Sequence, residues 1–357
     1  MRYTVLCPLG ATTGGPEALH QLASELRSVG RDAGVLYMQE GPLSVPIRAL
    51  RRVEQRVLKR HGAEVPPLGR FHASGLLEMA MRRLASVTLH SVPLDAGRTP
   101  PPYLGYEARV VGTLPPDTPA ETIVVPEVWW PFALRWKRAT VALWWLSIDN
   151  ASRVIPGAVR ALRRPNVVNL VQSRYAEVVV RGSGGRRVLP VSDYISTGAR
   201  THPEAPREDI VAYNPKKGSQ TTAALMNLLP DTRFVPIEGL DPSGVAGLLR
   251  RAKLYIDFGP FPGRDRLPRE ALLAGCVVIS GRAGASLLLE DLPIPEAYKV
   301  DSGDLGRISE LIGEVLADHP NHEGLFDEAR RKVAADRDRF RNEVAMAADA
   351  IEAGACS

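Results

Sequence analysis

Residues 253 to 280, KLYIDFGPFPGRDRLPREALLAGCVVIS, constrain the fold of this chain more than any other stretch. Leu254 to Phe258 and Cys276 to Ile279 are continuous apolar runs without polar alternation, the pattern of parallel strands covered on both faces. Between them, Pro268 suits a first helical position, where its fixed φ and missing N–H do no harm. Gly275 suits the residue that closes a helix. The spacing therefore predicts strand, loop, short helix and strand. Arg264, Asp265, Arg266, Arg269 and Glu270 crowd the loop and the helix start, where unpaired N–H groups and the helix dipole attract phosphate. An open α/β sheet binds its ligands at this strand-to-helix edge.

The same alternation runs through the chain. Tyr3 to Leu6 predicts a strand, Gly10 to Gly15 a small-residue turn, and Pro16 onward a helix with Leu19, Leu22, Ala23 and Leu26 on one face. Ala33 to Tyr37, Thr122 to Val125, Val141 to Leu146 and Val167 to Val171 read as further buried strands. A basic amphipathic helix is expected over 46–61, another helix over Ser74 to Leu84, and a loop at Pro100 to Pro102. Thr197 to Glu208 is polar and aperiodic, the pattern of a linker. Beyond it, Ile210 to Tyr213 predicts a strand, Ser219 to Leu229 a helix and Phe234 to Ile237 a strand. Asp241-Pro242 then caps a helix reaching Arg251. Such alternation predicts an α/β protein of two tandem Rossmann-like domains, over 1–200 and 201–325. Phe326, Ala329, Val333, Phe340, Val344, Ala347 and Ile351 mark one face of a long C-terminal helix over 326–357, expected to pack back on the first domain.

Composition narrows the function classes. With 357 residues, 45% hydrophobic and 24% charged, the chain has material for two ordinary globular cores. A net charge of +5 spread over scattered arginines favours phosphorylated small molecules over nucleic acid. Cys7, Cys276 and Cys356 are too few and too far apart for a zinc site and fit reduced thiols, hence a cytoplasmic protein. The N-terminus runs straight into strand and turn without a leader pattern. For the helix at 46–61, a solvated face competes with contact at an anionic inner membrane surface.

Asn214-Pro215-Lys216-Lys217-Gly218 lies after the first strand of the second domain and before a helix, so its two lysines can neutralise a diphosphate. The GxxxxGK[ST] spacing of a P-loop is absent. Taken alone this is a charged turn; beside the 259–270 loop at the same sheet edge it becomes a ligand site. Gly259 opens that loop. Glu270, in the first turn of its helix, is placed to accept ribose hydroxyls, and Gly284, in the small-residue turn after the next strand, lets backbone amides approach a ligand. Gly14 and Gly15, followed by Glu17, repeat the logic in the first domain.

All five tryptophans fall within 129–145. They are read either as an aromatic core or, for Trp129 and Trp130, as a platform on which an acceptor stacks. Arg135, Lys137 and Arg138 are then cations for an acceptor phosphate. Glu127 and Asp149 bracket the cluster at strand ends and, with Glu17 and His20, are the candidates for a general base.

VPEVWWP, WWLSIDN, VQSRYA, VSDYIS, VAYNPKKG, FVPIEGL and IDFGPFPGRDRLPREALLAGCVVISGRAG, with GGPEALHQLASELRSVG as a weaker echo, resemble a nucleotide-sugar-dependent glycosyltransferase of the GT-B fold. More narrowly they resemble bacterial enzymes encoded with polysaccharide genes, distantly like glycosyltransferase family 4. The resemblance implies a donor site in the second domain, an acceptor site in the first and an interdomain cleft. It also implies a nucleotide-diphosphate sugar (UDP, GDP or another) as donor, a glycan, lipid-linked or small-molecule acceptor, and no resident metal or cofactor. In that family a Glu-x7-Glu pair contacts donor sugar and ribose. Glu270 matches the second glutamate, and Pro262 stands where the first would be, with Asp265 the candidate replacement.

Glycosyl transfer through an oxocarbenium-like state loads negative charge on the leaving diphosphate, which Lys216, Lys217, Arg264, Arg269 and the helix N-terminus are expected to meet. A nucleotide-sugar 2-epimerase and a non-catalytic nucleotide-sugar-binding partner subunit are the competing readings. A dinucleotide oxidoreductase is disfavoured because GATTGG lacks the GxGxxG spacing.

Overall fold

The computed structural model describes residues 1–10, 13–39, 89–92, 101–150, 163–196 and 206–355. The helices expected over 46–61 and 74–84 and most of the linker expected over 197–208 lie outside the described residues. Contacts divide the chain into two compact units, 1–172 with 176–193 and 340–357, and 173–175 with 194–339.

The first unit is built on a seven-stranded sheet. Its strands are β1 (Arg2–Pro8), β2 (Asp32–Gln39), β3 (His90–Ser91), β4 (Glu121–Pro126), β5 (Thr140–Trp145), β6 (Val167–Val171) and β7 (Val188–Pro190), in the order β3-β2-β1-β4-β5-β6-β7. Among the described strands of this sheet only β3 runs antiparallel, against β2. Helix α1 (Gly14–Ser28) follows β1 and buries Ala18, Leu19, Leu22, Ala23 and Leu26, the face its periodicity predicts. Every residue of β4, β5 and β6 is buried, as unalternating apolar runs require. After the four-residue helical turn Trp130–Ala133, a longer helix, α2 (Arg174–Gly182), leads to β7.

The second unit carries a five-stranded parallel sheet of β8 (Glu208–Tyr213), β9 (Arg233–Pro236), β10 (Ala252–Asp257), β11 (Val277–Gly281) and β12 (Lys299–Val300), ordered β12-β11-β10-β8-β9. Helix α3 (Ser219–Leu228) follows β8, α4 (Pro242–Arg251) follows β9 and α5 (Arg266–Leu273) follows β10, giving the expected βα alternation. Asp241 caps α4 by accepting from the Gly244 N–H at 2.7 Å. Helix α6 (Leu305–Ala317) buries Ile308, Leu311, Ile312 and Val315 against the same core.

Both sheets reverse their strand order once, between β1 and β4 in the first and between β8 and β10 in the second. In each, the chain leaves the carboxyl ends of two neighbouring strands in opposite directions and leaves a crevice there, the usual ligand position of an open α/β sheet.

The C-terminal helix differs from expectation. All seven apolar residues that marked its face are buried, yet the element is two helices, α7 (Asp327–Ala334) and α8 (Asp336–Ala355). Phe326, Ala329 and Val333 join the core of the second unit, whereas 340–357 belong to the first. There Tyr3 donates to Glu352 at 3.1 Å, Arg31 pairs with Asp349 and Glu352, and Arg341 pairs with Glu25 at 2.8 Å. The break coincides with Asp336, whose side chain is 1% exposed and bound by Arg264 at 2.9 Å and Arg269 at 3.3 Å.

Replacing Asp336 by alanine takes a buried carboxylate away from two buried guanidinium groups and is expected to cost about 3–5 kcal/mol. Urea unfolding followed by circular dichroism checks this. Tryptophan fluorescence does not, because all five tryptophans lie in the other unit.

Candidate functional site at the edge of the second sheet

Three loops meet at the carboxyl edge of the second sheet: Asn214 to Gly218 after β8, Phe258 to Asp265 after β10, and Arg282 to Ser286 after β11. Two glycines make the fit sterically feasible. Gly218, at φ +58, caps α3, and a Cβ there would lie 2.7 Å from the Phe258 carbonyl carbon. Gly284, at φ +53, leaves no room for a Cβ against the Phe261 carbonyl, the oxygen that accepts from the Ala285 N–H at 2.9 Å. A side chain at either position would be strained and would push the loops apart. Gly259 is buried beneath the stem of Lys217.

Lys217 sits where these loops converge. Its Nζ forms an ion pair with Asp265, donates to the Pro260 carbonyl at 3.2 Å and lies 5.3 Å from the centre of the Phe261 ring. Lys216 is exposed, and its backbone N–H is fixed by the Asn214 side chain at 3.0 Å. Behind the pair, Asp257 ends β10 and accepts from the Gly259 N–H at 3.0 Å and the Tyr255 hydroxyl at 3.1 Å. Burial raises its carboxyl above the ordinary range, and Lys217 opposes that rise. Asp265 is pushed up to about 6 by burial, again against the pull of Lys217.

Helix α5 begins two residues before the start read from Pro268. Arg266 is its first residue and Asp265 its N-cap, which puts Pro268 third, still within the turn whose N–H groups have no intrahelical acceptor. Glu270 is therefore the fifth helical residue, two positions further in and past the first turn in which it was expected, and its carboxylate pairs with Arg266 at 3.2 Å. Arg264 and Arg269 are not displayed at this edge. Their side chains are 3% and 0% exposed and are directed at Asp336, and Arg269 also donates to the carbonyls of Arg264 at 2.8 Å and Asp265 at 3.2 Å. They brace the loop from beneath, and the cations that reach solvent at this edge are the exposed Lys216 and Arg282 and the partly exposed Lys217 and Arg266, the last three each paired with a carboxylate.

In the first unit the expected residues gather around the reversal between β1 and β4, and most are occupied internally. Gly14 and Gly15 open α1 and are half-buried. Glu17 accepts from the Tyr106 hydroxyl at 2.6 Å. Glu127 is 3% exposed and accepts from the N–H groups of Leu146 and Ser147, both at 3.2 Å, which ties the end of β4 to that of β5. Asp149 is half-buried in the 3-10 turn Ile148–Asn150. His20 is fully buried, stacked on Tyr103 at 4.1 Å and bonded to the Pro16 carbonyl and the Tyr37 hydroxyl, each at 2.7 Å. Burial lowers its pKa, which favours the neutral ring.

The tryptophans are core. Trp129 is 6% exposed and Trp130 2%, with Trp136, Trp144 and Trp145 at 1% or less. Trp144 donates to the Val191 carbonyl at 2.9 Å and Trp145 to Asn169 at 3.1 Å. Their faces serve burial rather than display. Arg135, Lys137 and Arg138 are exposed.

Asp257 and Asp336 were not singled out from sequence. Asp257 had a signal, as an acid closing an otherwise apolar strand; Asp336 lies in a charged helix and had none. Among the described residues there is no cluster of three or more His, Cys, Asp or Glu arranged to hold a metal, and no helix long and apolar enough to cross a membrane.

No family model matches the chain, and no curated protein matches its sequence. Its likeness to solved structures extends over nearly its whole length. A structure of HepE from Anabaena, in complex with UDP and glucose, matches with a TM-score of 0.59 at 14% identity, covering 99% of this chain and 100% of that one. The trehalose-6-phosphate synthase OtsA matches with a TM-score of 0.59 at 9% identity over 99% of both chains. A sucrose-phosphate synthase from Thermosynechococcus elongatus matches with a TM-score of 0.58 at 14% identity, over 99% of this chain and 100% of that one. The fold is that of GT-B glycosyltransferase structures, two Rossmann-like units in one chain.

Proposed function

We propose that the protein is a glycosyltransferase that moves a sugar from a nucleotide-diphosphate sugar to an acceptor, with the donor held at the carboxyl edge of the second sheet. The observation that carries this reading is the convergence of Lys217, the exposed Lys216 and the N-terminus of α5 at the reversal between β8 and β10, over loops that close-packed glycines bring together. A diphosphate there meets two ammonium groups and the positive end of a helix dipole, worth roughly half a charge. Solved structures of the same fold hold UDP with glucose and UDP-glucose, so a UDP-sugar is the first donor to test.

As the bond from sugar to phosphate breaks, charge accumulates on the leaving diphosphate. Lys217 and the α5 N-terminus stabilise it more in the transition state than in the ground state, and turnover gains accordingly. These groups supply the electrostatic part of leaving-group stabilisation from the chain itself. Arg264 and Arg269 contribute indirectly, by fixing the loop through Asp336. Glu270 is placed for the ribose hydroxyls once Arg266 yields it. The acceptor, a glycan, a lipid-linked group or a small molecule, is assigned to the first unit with Gly14 and Gly15 at its edge, and the narrower kinship to polysaccharide-gene enzymes belongs to this proposal. A non-catalytic sugar-nucleotide binder is the second reading, favoured by Pro262 where the resemblance calls for a glutamate.

Incubation with a panel of nucleotide sugars, followed by mass spectrometry, separates the readings. Slow hydrolysis of one donor is expected of the transferase, a rearranged sugar nucleotide of an epimerase, and binding without turnover of the binder. Lys217→Ala is expected to lower turnover about a hundredfold while weakening donor binding less. Thermal-shift titrations on Lys216→Ala and Glu270→Ala check the position of the site. Unchanged donor affinity in both would place the donor elsewhere.

A further inference from the structure

Asp265 occupies the N-cap of α5 but does not behave as a cap. An N-cap oxygen ordinarily accepts from the second or third helical N–H, and the third residue here is Pro268, which has none. The carboxylate makes no bond to its helix and instead holds the Lys217 ammonium, with the two side chains 20% and 22% exposed. The lysine best placed for a donor phosphate is thus already neutralised by an oxyanion of the same chain. This contact joins the loops on the two sides of the strand-order reversal.

We propose that Asp265 is an internal substitute for the donor diphosphate: its carboxylate holds Lys217 until a donor arrives, and donor binding exchanges carboxylate for phosphate while Asp265 takes up one proton from solvent. The inference rests on the donor-site reading above. No bond other than that to the proton is made or broken.

The charges around Asp265 fix the direction. Lys217 faces it from the β8–α3 loop, Asp257 and the Tyr255 hydroxyl from β10, and Arg269 from α5 itself. Burial and Asp257 raise its pKa, and Lys217 and Arg269 lower it, leaving it at about 6. Arg269 is committed to Asp336. When Lys217 turns to phosphate, the main lowering influence goes and a new anion arrives beside the carboxyl, so its proton affinity rises. Above about pH 6 the free protein has Asp265 ionised and the donor complex has it protonated. Donor affinity therefore falls about tenfold per pH unit upward from that point, until the pKa of the complex is passed. Below it, affinity levels off.

Calorimetric titration of UDP-glucose from roughly pH 5.5 to 8, in buffers of different ionisation enthalpy, reads both affinity and proton uptake. The sugar-linked diphosphate keeps its full charge over this range, so the slope belongs to the protein. For the wild type, Kd is expected to rise about tenfold per pH unit above pH 6, with uptake approaching one proton. Asp265→Asn, which matches the carboxylate in shape, is expected to bind at every pH with the wild-type affinity at low pH, and about tenfold or more tighter than wild type at pH 8. A flat wild-type profile without proton uptake overturns the proposal on the unmodified chain. So does an Asp265→Asn protein weakened equally at every pH, which would make Asp265 a plain donor contact. Binding that Lys217→Ala weakens but pH leaves unchanged overturns the exchange and leaves the donor site standing. Absence of binding by every nucleotide sugar tried overturns both.

Discussion

The carboxylate of Asp336 lies against the guanidinium groups of Arg264, Arg269 and Arg339, with Arg264, Arg269 and Asp336 almost wholly removed from solvent. Burial of this kind adds little net stability, because desolvating the ions costs about what their attraction returns. Its effect is on geometry. A buried arginine left without its carboxylate is so unfavourable that the loop after β10 has few other places to put Arg264 and Arg269. With both fixed below, the backbone from Phe258 to Asp265 is held where Gly218 and Gly284 can close on it. The same carboxylate marks the start of α8, so one ion cluster sets the shape of the loop and the origin of the last helix.

That placement also sorts the cations. The sequence between 259 and 270 is rich in positive charge, but charge at a ligand site matters only where it faces solvent or ligand. Arg264 and Arg269 are consumed internally, and Arg266 is paired with Glu270 one turn along α5. The more accessible positive charge comes from the neighbouring loops, through Lys216 and Lys217 after β8 and Arg282 after β11, where Arg282 is paired with Glu296. An anion approaching this edge therefore competes with one carboxylate, Asp265, for one ammonium. Such a competition is decided by small differences in burial and proton load, because both anions are held by similar contacts.

The architecture was legible wherever burial alone dictates the pattern. Unalternating apolar runs gave β4, β5, β6, β10 and β11 to within a residue or two, and the helical period of α1 and of the α7–α8 face matched what is buried. β7 and β12, of three and two residues, are too short to carry a period, whereas α6 does carry one, in Ile308, Leu311, Ile312 and Val315. The loop positions were legible too, because strand ends and glycines fix them. What sequence does not reveal is which charges meet. Arg264 and Asp336 are 72 residues apart, and no local rule pairs them. The start of α5 differs from the one Pro268 suggests for a separate reason. Proline is tolerated throughout the first helical turn, so Pro268 alone does not number the turn.

The first unit carries the complementary lesson about carboxylates. Glu127 stands at the end of β4 beside the strand-order reversal, where a base is expected, yet two backbone N–H groups at the end of β5 already hold it. Glu17 is engaged by Tyr106, and His20 is enclosed and hydrogen-bonded at both ring nitrogens. Each is held in a role that shapes the edge, fixing α1 and the ends of β4 and β5, in the same way that Arg264 and Arg269 shape the other sheet. In both units, then, the charged residues that look most like chemistry in the sequence hold the backbone. On the rim of the second sheet, Lys216 stays exposed beside loops that close only because Gly218 and Gly284 carry no side chain.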